Sequence, residues 1–375
     1  MLIAGVLSGT SLDGIDVAIC DVRARGAGVA VECLRFATAA FDEALRARIL
    51  RAYPPAAVSV IELSALHARV GEAFGDAVRA AAAGLALDAV ASHGLTIAHD
   101  GAERETLQIG DAFRIRERTG CTVLYDFRSA DTAAGGHGAP LVPFVDALLF
   151  GAHAPCVALN LGGIANMTVL PQAIAFDTGP ANLPIDTYVQ MRGDGSRRYD
   201  VDGELARNGA VDVALLTRML DDPYFRRLPP KTAGREEYGA AYVARWREEL
   251  DALGYADAVA TLTALTVRSI ADAFWTMAPR VPLLIVSGGG ARNPALVGGL
   301  RTLLPGVTVA LSDAYGVDAD AKEAIAFAVL GFTLLRGRPA GMPQVTGARG
   351  PRLLGAIAPH DLEALLRRVT EAPSS

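Results

Sequence analysis

The sequence contains very little lysine. Only Lys231 and Lys322 are lysines among the 35 Lys and Arg residues. A site for phosphate groups must therefore use arginine side chains, backbone N–H groups or a metal ion. The net charge of −6 has the wrong sign for a surface that binds nucleic acid or an anionic membrane. With 51% hydrophobic and 20% charged residues, the composition is typical of a soluble globular enzyme.

The sequence also lacks the marks of secretion, of a disulfide framework and of a membrane span. No basic region precedes the first apolar run, and no apolar run approaches the ~18 residues of a transmembrane helix. The cysteines show no Cys-x-x-Cys spacing, which is typical of a reducing compartment. They are Cys20, Cys33, Cys121 and Cys156. We therefore expect a cytoplasmic protein that binds neither nucleic acid nor a membrane.

Two common nucleotide-binding motifs are absent. No Gly-Lys pair occurs, which excludes a P-loop, and Gly288, Gly289 and Gly290 have the wrong spacing for a Rossmann fingerprint. Instead, Gly-rich loops follow apolar strands in "VLSGTSLDGIDVAI", "CVALNLGGIANMTVL" and "VPLLIVSGGGARNPAL". Glycine lets backbone N–H groups approach phosphates closely, so these loops predict a nucleotide site. Gly-rich turns also follow strands in α/β proteins without such a site, and that alternative stays open.

The first of these loops combines backbone donors with carboxylates. Gly9, Thr10, Ser11 and Gly14 provide N–H groups or hydroxyls for a phosphate. Asp13 and Asp16 would repel a phosphate but suit Mg²⁺, which is commonly held through water. For Asp16, a hydrogen-bonded turn is the alternative interpretation.

The order of the elements predicts two α/β domains. The strands "LIAGVL", "IDVAICDV" and "VAVECLRFAT" precede two helical regions and the short strand "DAVASHG". Strand, Gly-rich turn and strand then recur from residue 156, which suggests duplicated domains facing each other across a cleft. The Gly- and Pro-rich "AAGGHGAPLVP" places the boundary in this region. We predict a first domain over residues 1–135 and a second over 136–375, with the extreme C-terminal segment packing back on the first.

The motifs "SGTSLDGIDVA", "LNLGGIANMTVL", "FDTGPAN" and "VSGGGARNPAL" resemble the anhydro-N-acetylmuramic acid kinase family. Further similar blocks run along most of the chain: "TLQIGD", "DFRSAD", "GAPLVP", "GREEYG", "EAIAFA" and "VTGA". The resemblance implies two actin-like, ribonuclease H-like domains, each a mixed sheet flanked by helices, around a central cleft. It also implies transfer of the ATP γ-phosphate to O6 of 1,6-anhydro-N-acetylmuramic acid, while water opens the anhydro bridge.

The resemblance also implies ligands and a cellular role. ATP with Mg²⁺ and a small-molecule sugar are the expected ligands, and recycling of cell-wall amino sugar in a bacterium, by a homodimer, is the expected role. The residues expected at the nucleotide are Gly9, Thr10, Ser11, Leu12, Asp13, Gly14, Ile15, Asp16, Gly162, Gly163, Asn166, Gly179, Gly288, Gly289, Gly290 and Asn293. Those expected at the sugar are His93, Thr96, Arg128, Asp131, Asp186 and Glu323.

Asp177 is the predicted catalytic base. It follows "QAIAF" at the carboxyl end of a predicted strand, where α/β proteins place ligands. Ring opening needs a water deprotonated near the anomeric carbon, and one positioned carboxylate can do this. The family's catalytic aspartate lies in the same "DTGP" motif. The alternative is a cap on the following turn.

Arg128, and three positions at which the sequence differs from the family's motifs, affect how the sugar is expected to bind. Arg128 is expected to pair with the lactyl carboxylate of the muramic acid, because guanidinium suits planar anions; an interdomain salt bridge is the alternative. The family has Gln at Leu95 and at His137, and Gly at Ala181. Leu95 cannot hydrogen-bond a sugar, and His137 is either its substitute or a simple loop residue. Fine specificity therefore stays open.

Three other functions fit parts of the sequence. His93 and His99, beside Asp100, suggest a metal site like that of carbamoyl-transferring relatives, although their spacing suits no common zinc motif. An actin-like assembly protein would keep the nucleotide loops without a base. A kinase for an ordinary hexose would use its Asp on a sugar hydroxyl instead of water. The sequence alone does not distinguish these nucleophiles.

Overall fold

A computed structural model describes residues 1–9, 12, 14–26, 28–54, 56–193 and 197–371. The predictions for Thr10, Ser11 and Asp13 lie outside the described residues. Elements up to the first crossover between units are β1 Leu2–Ser8, β2 Ile15–Arg25, β3 Gly28–Ala39, α1 Glu43–Leu50, α2 Val60–Ala82, β4 Ala89–Asp100, β5 Glu105–Ile109, α3 Ala112–Thr119, β6 Thr122–Tyr125, α4 Ser129–Ala133 and α5 Val142–Phe150.

The middle of the chain contains β7 Cys156–Leu161, β8 Ile164–Leu170, β9 Ile174–Pro180, α6 Asn182–Arg192, α7 Glu204–Asn208, α8 Val213–Leu220, α9 Pro223–Arg226, α10 Arg235–Tyr238, α11 Ala240–Arg245, α12 Arg247–Ala252, α13 Tyr255–Met277, β10 Leu283–Ser287, α14 Pro294–Leu303 and β11 Thr308–Leu311. The last elements are α15 Lys322–Leu335, α16 Pro343–Thr346, β12 Ala356–Ala358 and α17 Leu362–Glu371. No helix in the described part of the chain is long and apolar enough to cross a membrane.

The chain divides into two compact units. The first contains residues 1–149 and 321–375, and the second contains residues 150–320. The division differs from the predicted domains, because residues 136–149 and 321–375 lie with the first unit. A physical reason is the packing of α15 against β1, β2 and β4, which returns the chain to the first sheet.

Each unit is built on a mixed sheet. In the first, the strand order is β12-β6-β4-β1-β2-β3, with β5 on β4. In the second, the order is β11-β10-β7-β8-β9. Both contain three antiparallel neighbours, β1–β3 or β7–β9, followed by parallel strands on the other side of the first of them. The predicted α/β class and the predicted repeat are confirmed.

Two strands extend further than the sequence predicted. β4 runs to Asp100, so "HGLT" lies inside the strand and not at its end. β9 runs to Pro180, so Asp177 lies within the strand and not at its carboxyl end. Both strands pair antiparallel with a neighbour beyond the predicted end, and that pairing stabilises an extended backbone there.

Helix α15 is the central helix of the first unit. Nearly all of its residues are buried, and it packs directly on β1. At Gly5 of β1, a Cβ atom would lie 1.8 Å from the carbonyl oxygen of Ala324. The first residue of α15, Lys322, forms a buried ion pair with Asp146 of α5 at 2.7 Å. Close packing and a buried charge pair therefore fix where the returning chain lies within this unit.

We predict that Gly5→Ala destabilises the protein by about 1–3 kcal/mol, as expected for overpacking. The added methyl group has no room beside the α15 backbone, which cannot move as a flexible side chain would. Denaturant unfolding measures the change. Gly350→Ala is the control in the same unit, because its Cβ would meet only the end of the Arg352 side chain, at 3.4 Å. Equal stability of the two variants would contradict this account of α15.

Candidate active site

Leu12 and Ile15, which follow β1, direct their apolar side chains into the protein. Leu12 and Ile15 are buried in the core of the first unit. Leu12 has φ of +55°, which is uncommon outside glycine, and its carbonyl accepts a hydrogen bond from Arg46 Nε at 3.1 Å. Its N–H donates to the carbonyl of Gly9 at 3.1 Å. A nucleotide contact by Leu12 or Ile15 would therefore have to come from the backbone.

Gly14 and Asp16 lie against β3. A Cβ atom at Gly14 would lie 2.3 Å from Cγ2 of Thr38. The Thr38 hydroxyl donates to Oδ1 of Asp16 at 2.6 Å, across a directly paired position of β2 and β3. Asp16 is thus an oriented, half-buried carboxylate at the start of its strand.

His93 is the extra residue of a β-bulge in β4. Val6 of β1 pairs with Ser92, whereas Leu7 pairs with Gly94. Gly94 has φ of +78°, a conformation that glycine adopts without strain. A bulge redirects the side chain that it carries. The His93 ring accordingly lies 4.5 Å, between centroids, from the ring of Phe327.

Arg128 and His93 form one hydrogen-bonded unit. Arg128 Nε donates to His93 Nε2 at 3.0 Å, and Nη1 donates to the carbonyl of Gly138 at 3.0 Å. His93 therefore carries its proton on Nδ1, which lies 3.1 Å from the carbonyl oxygen of Gly94. Burial, with the charge of Arg128, lowers the pKa of His93 well below its ordinary value, so the ring is neutral. Both ring nitrogens are engaged, and a direct sugar contact would have to displace one of these bonds.

Arg128 keeps part of its guanidinium uncommitted. Desolvation lowers its pKa to about 10, while the nearby Glu323 of α15 acts in the opposite direction. The side chain is therefore still a cation at neutral pH. Within the described residues, Nη2 makes no hydrogen bond. Nη2 is therefore available to donate to an anion.

Asp131 has a structural role. Its Oδ2 accepts from the N–H of Gly138 at 2.8 Å, and its Oδ1 accepts from the hydroxyl of Thr346 at 2.8 Å. The residue is only 3% exposed. It anchors the loop that Arg128 also contacts, and this suits a supporting residue better than the predicted direct contact with the sugar.

The other residues that the sequence analysis discussed for the sugar site lie apart from this hydrogen-bonded unit in their bonding. Thr96 Oγ1 accepts from Gln108 Nε2 at 3.2 Å, and among the described residues no hydrogen bond joins its side chain to His93 or Arg128. Leu95 is fully buried in the core. His137 is exposed in its loop, where its N–H donates to the carbonyl of Thr346 at 2.8 Å.

In the second unit, the two predicted Gly-rich turns lie together. A Cβ atom at Gly288, where φ is +83°, would lie 2.6 Å from Asn160 Oδ1 and 2.8 Å from the carbonyl oxygen of Leu161. At Gly290 it would lie 2.7 Å from Cβ of Leu161. β7 and β10 are parallel neighbours, so their carboxyl ends meet at one edge of the sheet. Gly289 is exposed there with open space beside it.

The turn of Gly162 and Gly163 also supports α6. Its carbonyls accept from the N–H groups of Ala181, Asn182 and Leu183 at 3.0–3.1 Å. Any phosphate contact must therefore come from the N–H groups of these glycines. Ala181, where the family has Gly, is fully buried at the start of the helix.

Three more residues of the second unit were predicted to contact the nucleotide or the sugar, and each has its own local contacts. The side chain of Asn293 caps α14, accepting from the N–H of Ala295 at 2.9 Å. Gly179 has φ of +149°, and a Cβ there would lie 2.6 Å from the Phe225 ring. Asp186 lies half-buried on α6. The capping bond occupies Oδ1 of Asn293, so a nucleotide contact that keeps the cap would have to come from Nδ2.

A row of polar residues crosses the second sheet. Asn160 pairs directly with Asn166, and Asn166 pairs directly with Asp177. Side chains of directly opposed residues lie on the same face of a sheet. Asn166 and Asp177 are thus brought to one face, next to the residue that Gly288 packs against.

Asp177 is held by hydrogen bonds on both sides of its backbone. Its N–H donates to the carbonyl of Lys231 at 3.2 Å, and its carbonyl accepts from the hydroxyl of Tyr224 at 2.8 Å. Its Oδ2 accepts from the N–H of Ala233 at 2.9 Å. Within the described residues, Oδ1 has no hydrogen-bond partner. One carboxylate oxygen is therefore anchored and the other is available.

Burial raises the pKa of Asp177 to about 6. The hydrogen bond from Ala233 and the charge of Lys231 act in the opposite direction, and the charge of Glu237 adds to the rise. The carboxylate is thus mostly ionised at neutral pH and still basic. These are the properties of a general base that works near pH 7.

Sequence reasoning missed Tyr224, Lys231 and Ala233. They are remote from Asp177 in the chain, and no periodicity connects them. Two signals were present: Lys231 is one of only two lysines, and the "GREEYG" block begins directly after Ala233. In the part of the chain that the structure describes, no group of three or more His, Cys, Asp or Glu residues could hold a metal ion.

Comparison with known proteins shows relatives over nearly the whole chain. The anhydro-N-acetylmuramic acid kinase of Streptomyces coelicolor is 44% identical over 96% of this chain and 94% of its own length. That of Synechococcus elongatus is 42% identical over 95% and 99%. Among solved structures, the (R)-2-hydroxyglutaryl-CoA dehydratase component A of Acidaminococcus fermentans has a TM-score of 0.40 at 11% identity, covering 88% of this chain and 96% of that one. The family model for anhydro-N-acetylmuramic acid kinase matches residues 1–360. The chain belongs to the anhydro-N-acetylmuramic acid kinase family.

Proposed function

We propose that this protein transfers the γ-phosphate of ATP to O6 of 1,6-anhydro-N-acetylmuramic acid while water opens the anhydro bridge. The products are N-acetylmuramic acid 6-phosphate and ADP. Family membership over residues 1–360 supports the reaction class. The observation that carries the proposal is the anchored carboxylate of Asp177, which has one available oxygen and a pKa of about 6.

The reaction needs a base for water. Asp177 Oδ1 takes a proton as the water oxygen bonds to C1 of the sugar. The C1–O6 bond breaks, and O6 keeps its electron pair and bonds to the γ-phosphorus. The bond from this phosphorus to the β,γ-bridging oxygen breaks, and ADP leaves. A positioned general base typically contributes ~10²–10⁴-fold in rate.

Arg128 is the proposed ligand of the lactyl carboxylate. Its Nε and Nη1 are held by His93 and Gly138, so the guanidinium plane is fixed before the sugar binds. The uncommitted Nη2 can donate to a carboxylate oxygen. Glu323 tunes this site through its charge. Thr96 and Asp186 remain proposed sugar contacts, and Asp131 supports the loop of Gly138.

The Gly-rich turns suit the phosphates of ATP. The packing at Gly288 and Gly290 leaves no room for a Cβ atom, as a close backbone cradle requires. Mg²⁺ bound with ATP would neutralise charge on the transferring phosphate. Asp16 suits this ion through water, because Mg²⁺ keeps several waters and takes few protein carboxylates. We also propose a cytoplasmic homodimer that recycles cell-wall amino sugar.

Mass spectrometry of the product tests this function. Incubated with Mg-ATP and the anhydro sugar, the wild-type protein should add one phosphate and one water. Asp177→Asn should fold and bind ATP but turn over about 10²-fold or more slowly, because the base is lost. Addition of phosphate alone would indicate an ordinary sugar kinase. Near-normal turnover by Asp177→Asn would remove Asp177 from the mechanism.

The pH dependence of stability tests the environment of Asp177 without any substrate. The folded state raises this pKa from 3.8 to about 6, so it binds the proton more tightly than the unfolded chain does. Its contribution is full below about pH 4 and is lost as the pH rises through 6. Asp177→Asn should therefore be stabilised relative to wild type by about 1–3 kcal/mol more at pH 8 than at pH 4.5.

Denaturant unfolding at both pH values measures this difference. Asp221→Asn is the charge-matched control, because Asp221 is exposed and pairs only at the surface with Arg226. A pH-independent effect of Asp177→Asn would show that its carboxylate is not desolvated.

Arg128→Lys should raise the KM for the anhydro sugar about tenfold, while the KM for ATP stays unchanged. Lysine keeps the charge but loses the planar guanidinium that His93 and Gly138 hold in place for the carboxylate. Steady-state kinetics measure the change, with Arg114→Lys as an exposed control. With 1,6-anhydro-N-acetylglucosamine, which has no lactyl carboxylate, wild type and Arg128→Lys should have the same KM. A difference that persists with this analogue would refute the proposed contact.

A further inference from the structure

The two lysines of the chain have different surroundings. Lys322 forms a buried ion pair with Asp146. Lys231 is also buried, with 9% of its surface exposed, but it forms no ion pair within the described residues. Its Nζ donates to the carbonyl of Tyr224 at 3.3 Å and lies 4.6 Å from the centroid of the Tyr224 ring. Burying a cation without a bonded carboxylate costs free energy of folding. A functional role for Lys231 would explain why a lysine stands at this position.

The contacts of Lys231 lead to Asp177 by two routes. Its backbone carbonyl accepts the N–H of Asp177, and two residues later the N–H of Ala233 holds Asp177 Oδ2. Its ammonium group holds Tyr224 by a hydrogen bond and by its position over the ring, and the Tyr224 hydroxyl donates to the carbonyl of Asp177. The two groups that hold the Asp177 backbone are therefore the Lys231 carbonyl itself and the hydroxyl of Tyr224, a residue that Lys231 contacts.

We propose that Lys231 is a positioning residue, which keeps Asp177 ionised and holds its Oδ1 in a fixed orientation for the reacting water. This inference rests on the function proposed above. Lys231 itself needs no contact with the sugar or with ATP in this role. Its cationic side chain acts on Asp177 through space, and its backbone acts through hydrogen bonds.

The charges around Asp177 set the direction of the effect. Burial and Glu237 of α10 raise the pKa of Asp177, and the charge of Lys231 lowers it. Burial holds the pKa of Tyr224 far above its ordinary value, so its hydroxyl stays a neutral donor. Burial and the charge of Arg227 lower the pKa of Lys231, whereas Asp177 raises it. If the lysine charge were lost, the pKa of Asp177 would rise further, because less would oppose the effects of burial and Glu237.

The pH profile of kcat tests the proposal. In Lys231→Met, the acid limb, near pH 6 in wild type, should move up by about one pH unit, since an opposite charge nearby is lost. At pH 7.5, kcat should fall about 10–100-fold, because a small misplacement of a catalytic group is costly. The KM for ATP should not change. Lys231→Arg keeps the charge and should restore the position of the acid limb.

Two further variants separate positioning from stability. Tyr224→Phe removes the hydroxyl bond to Asp177 but no charge, so kcat should fall without an upward shift of the acid limb. Arg226→Ala, in the same segment but exposed and paired with Asp221, should change neither quantity. If Lys231→Met lowers only the Tm, with wild-type kcat and acid limb, the proposal is overturned. Wild-type kcat in Tyr224→Phe would overturn the positioning part.

A readout without turnover keeps this inference distinct from the proposed function. Lys231→Met should change the pH dependence of unfolding between pH 4.5 and 8. The change should disappear when the background already carries Asp177→Asn, because the titrating partner is gone. An equal change in both backgrounds would overturn the proposal. Absence of phosphorylated product with wild-type protein would instead refute the proposed function and leave this coupling measurable.

Discussion

The hydrogen bonds around Asp177 are the constraint on which the proposed chemistry depends. A carboxylate that is to take a proton from one water must be desolvated enough to be basic and held firmly enough to point one way. The N–H of Ala233 occupies Oδ2, and the backbone is held by Lys231 and Tyr224. Burial supplies the basicity, raising the pKa to about 6. If any of these contacts were lost, the carboxylate would remain but its orientation would not.

The repeated topology gives the proposed base a counterpart in the first unit. The row Asn160, Asn166 and Asp177 crosses β7, β8 and β9. The corresponding row in the first unit, across β1, β2 and β3, is Leu7, Asp16 and Thr38. The hydroxyl of Thr38 thus stands where the second unit has the carboxylate of Asp177, and the order of the three strands is the same. The common framework thus presents polar residues on the second and third strands of each row, whereas the first strand carries Leu7 in one unit and Asn160 in the other.

The first unit shows that a fixed guanidinium needs its own support. His93 lies on a bulge that only Gly94 permits, and its neutral ring accepts from Arg128. Asp131 holds the N–H of Gly138, and Arg128 holds the carbonyl of the same residue. Both carboxylate oxygens of Asp131 and the amide oxygen of Asn293 are engaged in hydrogen bonds within their own unit. Each of the two side chains thus supports its own loop or helix, and the ligand contact expected of each stays a prediction.

The sequence by itself determined the α/β class, the repeat and the Gly-rich turns, because these depend on local periodicity and on glycine spacing. It also predicted a catalytic role for Asp177 from one motif, and that role stays a prediction. It did not determine that Asp177 lies within β9, since strand ends depend on pairing with a neighbour. Only the tertiary structure decided that Tyr224, Lys231 and Ala233 surround Asp177, and that residues 321–375 lie with the first unit. Contacts between residues far apart in the chain arise from tertiary packing, and such contacts produce no regular spacing in the sequence from which they could be predicted.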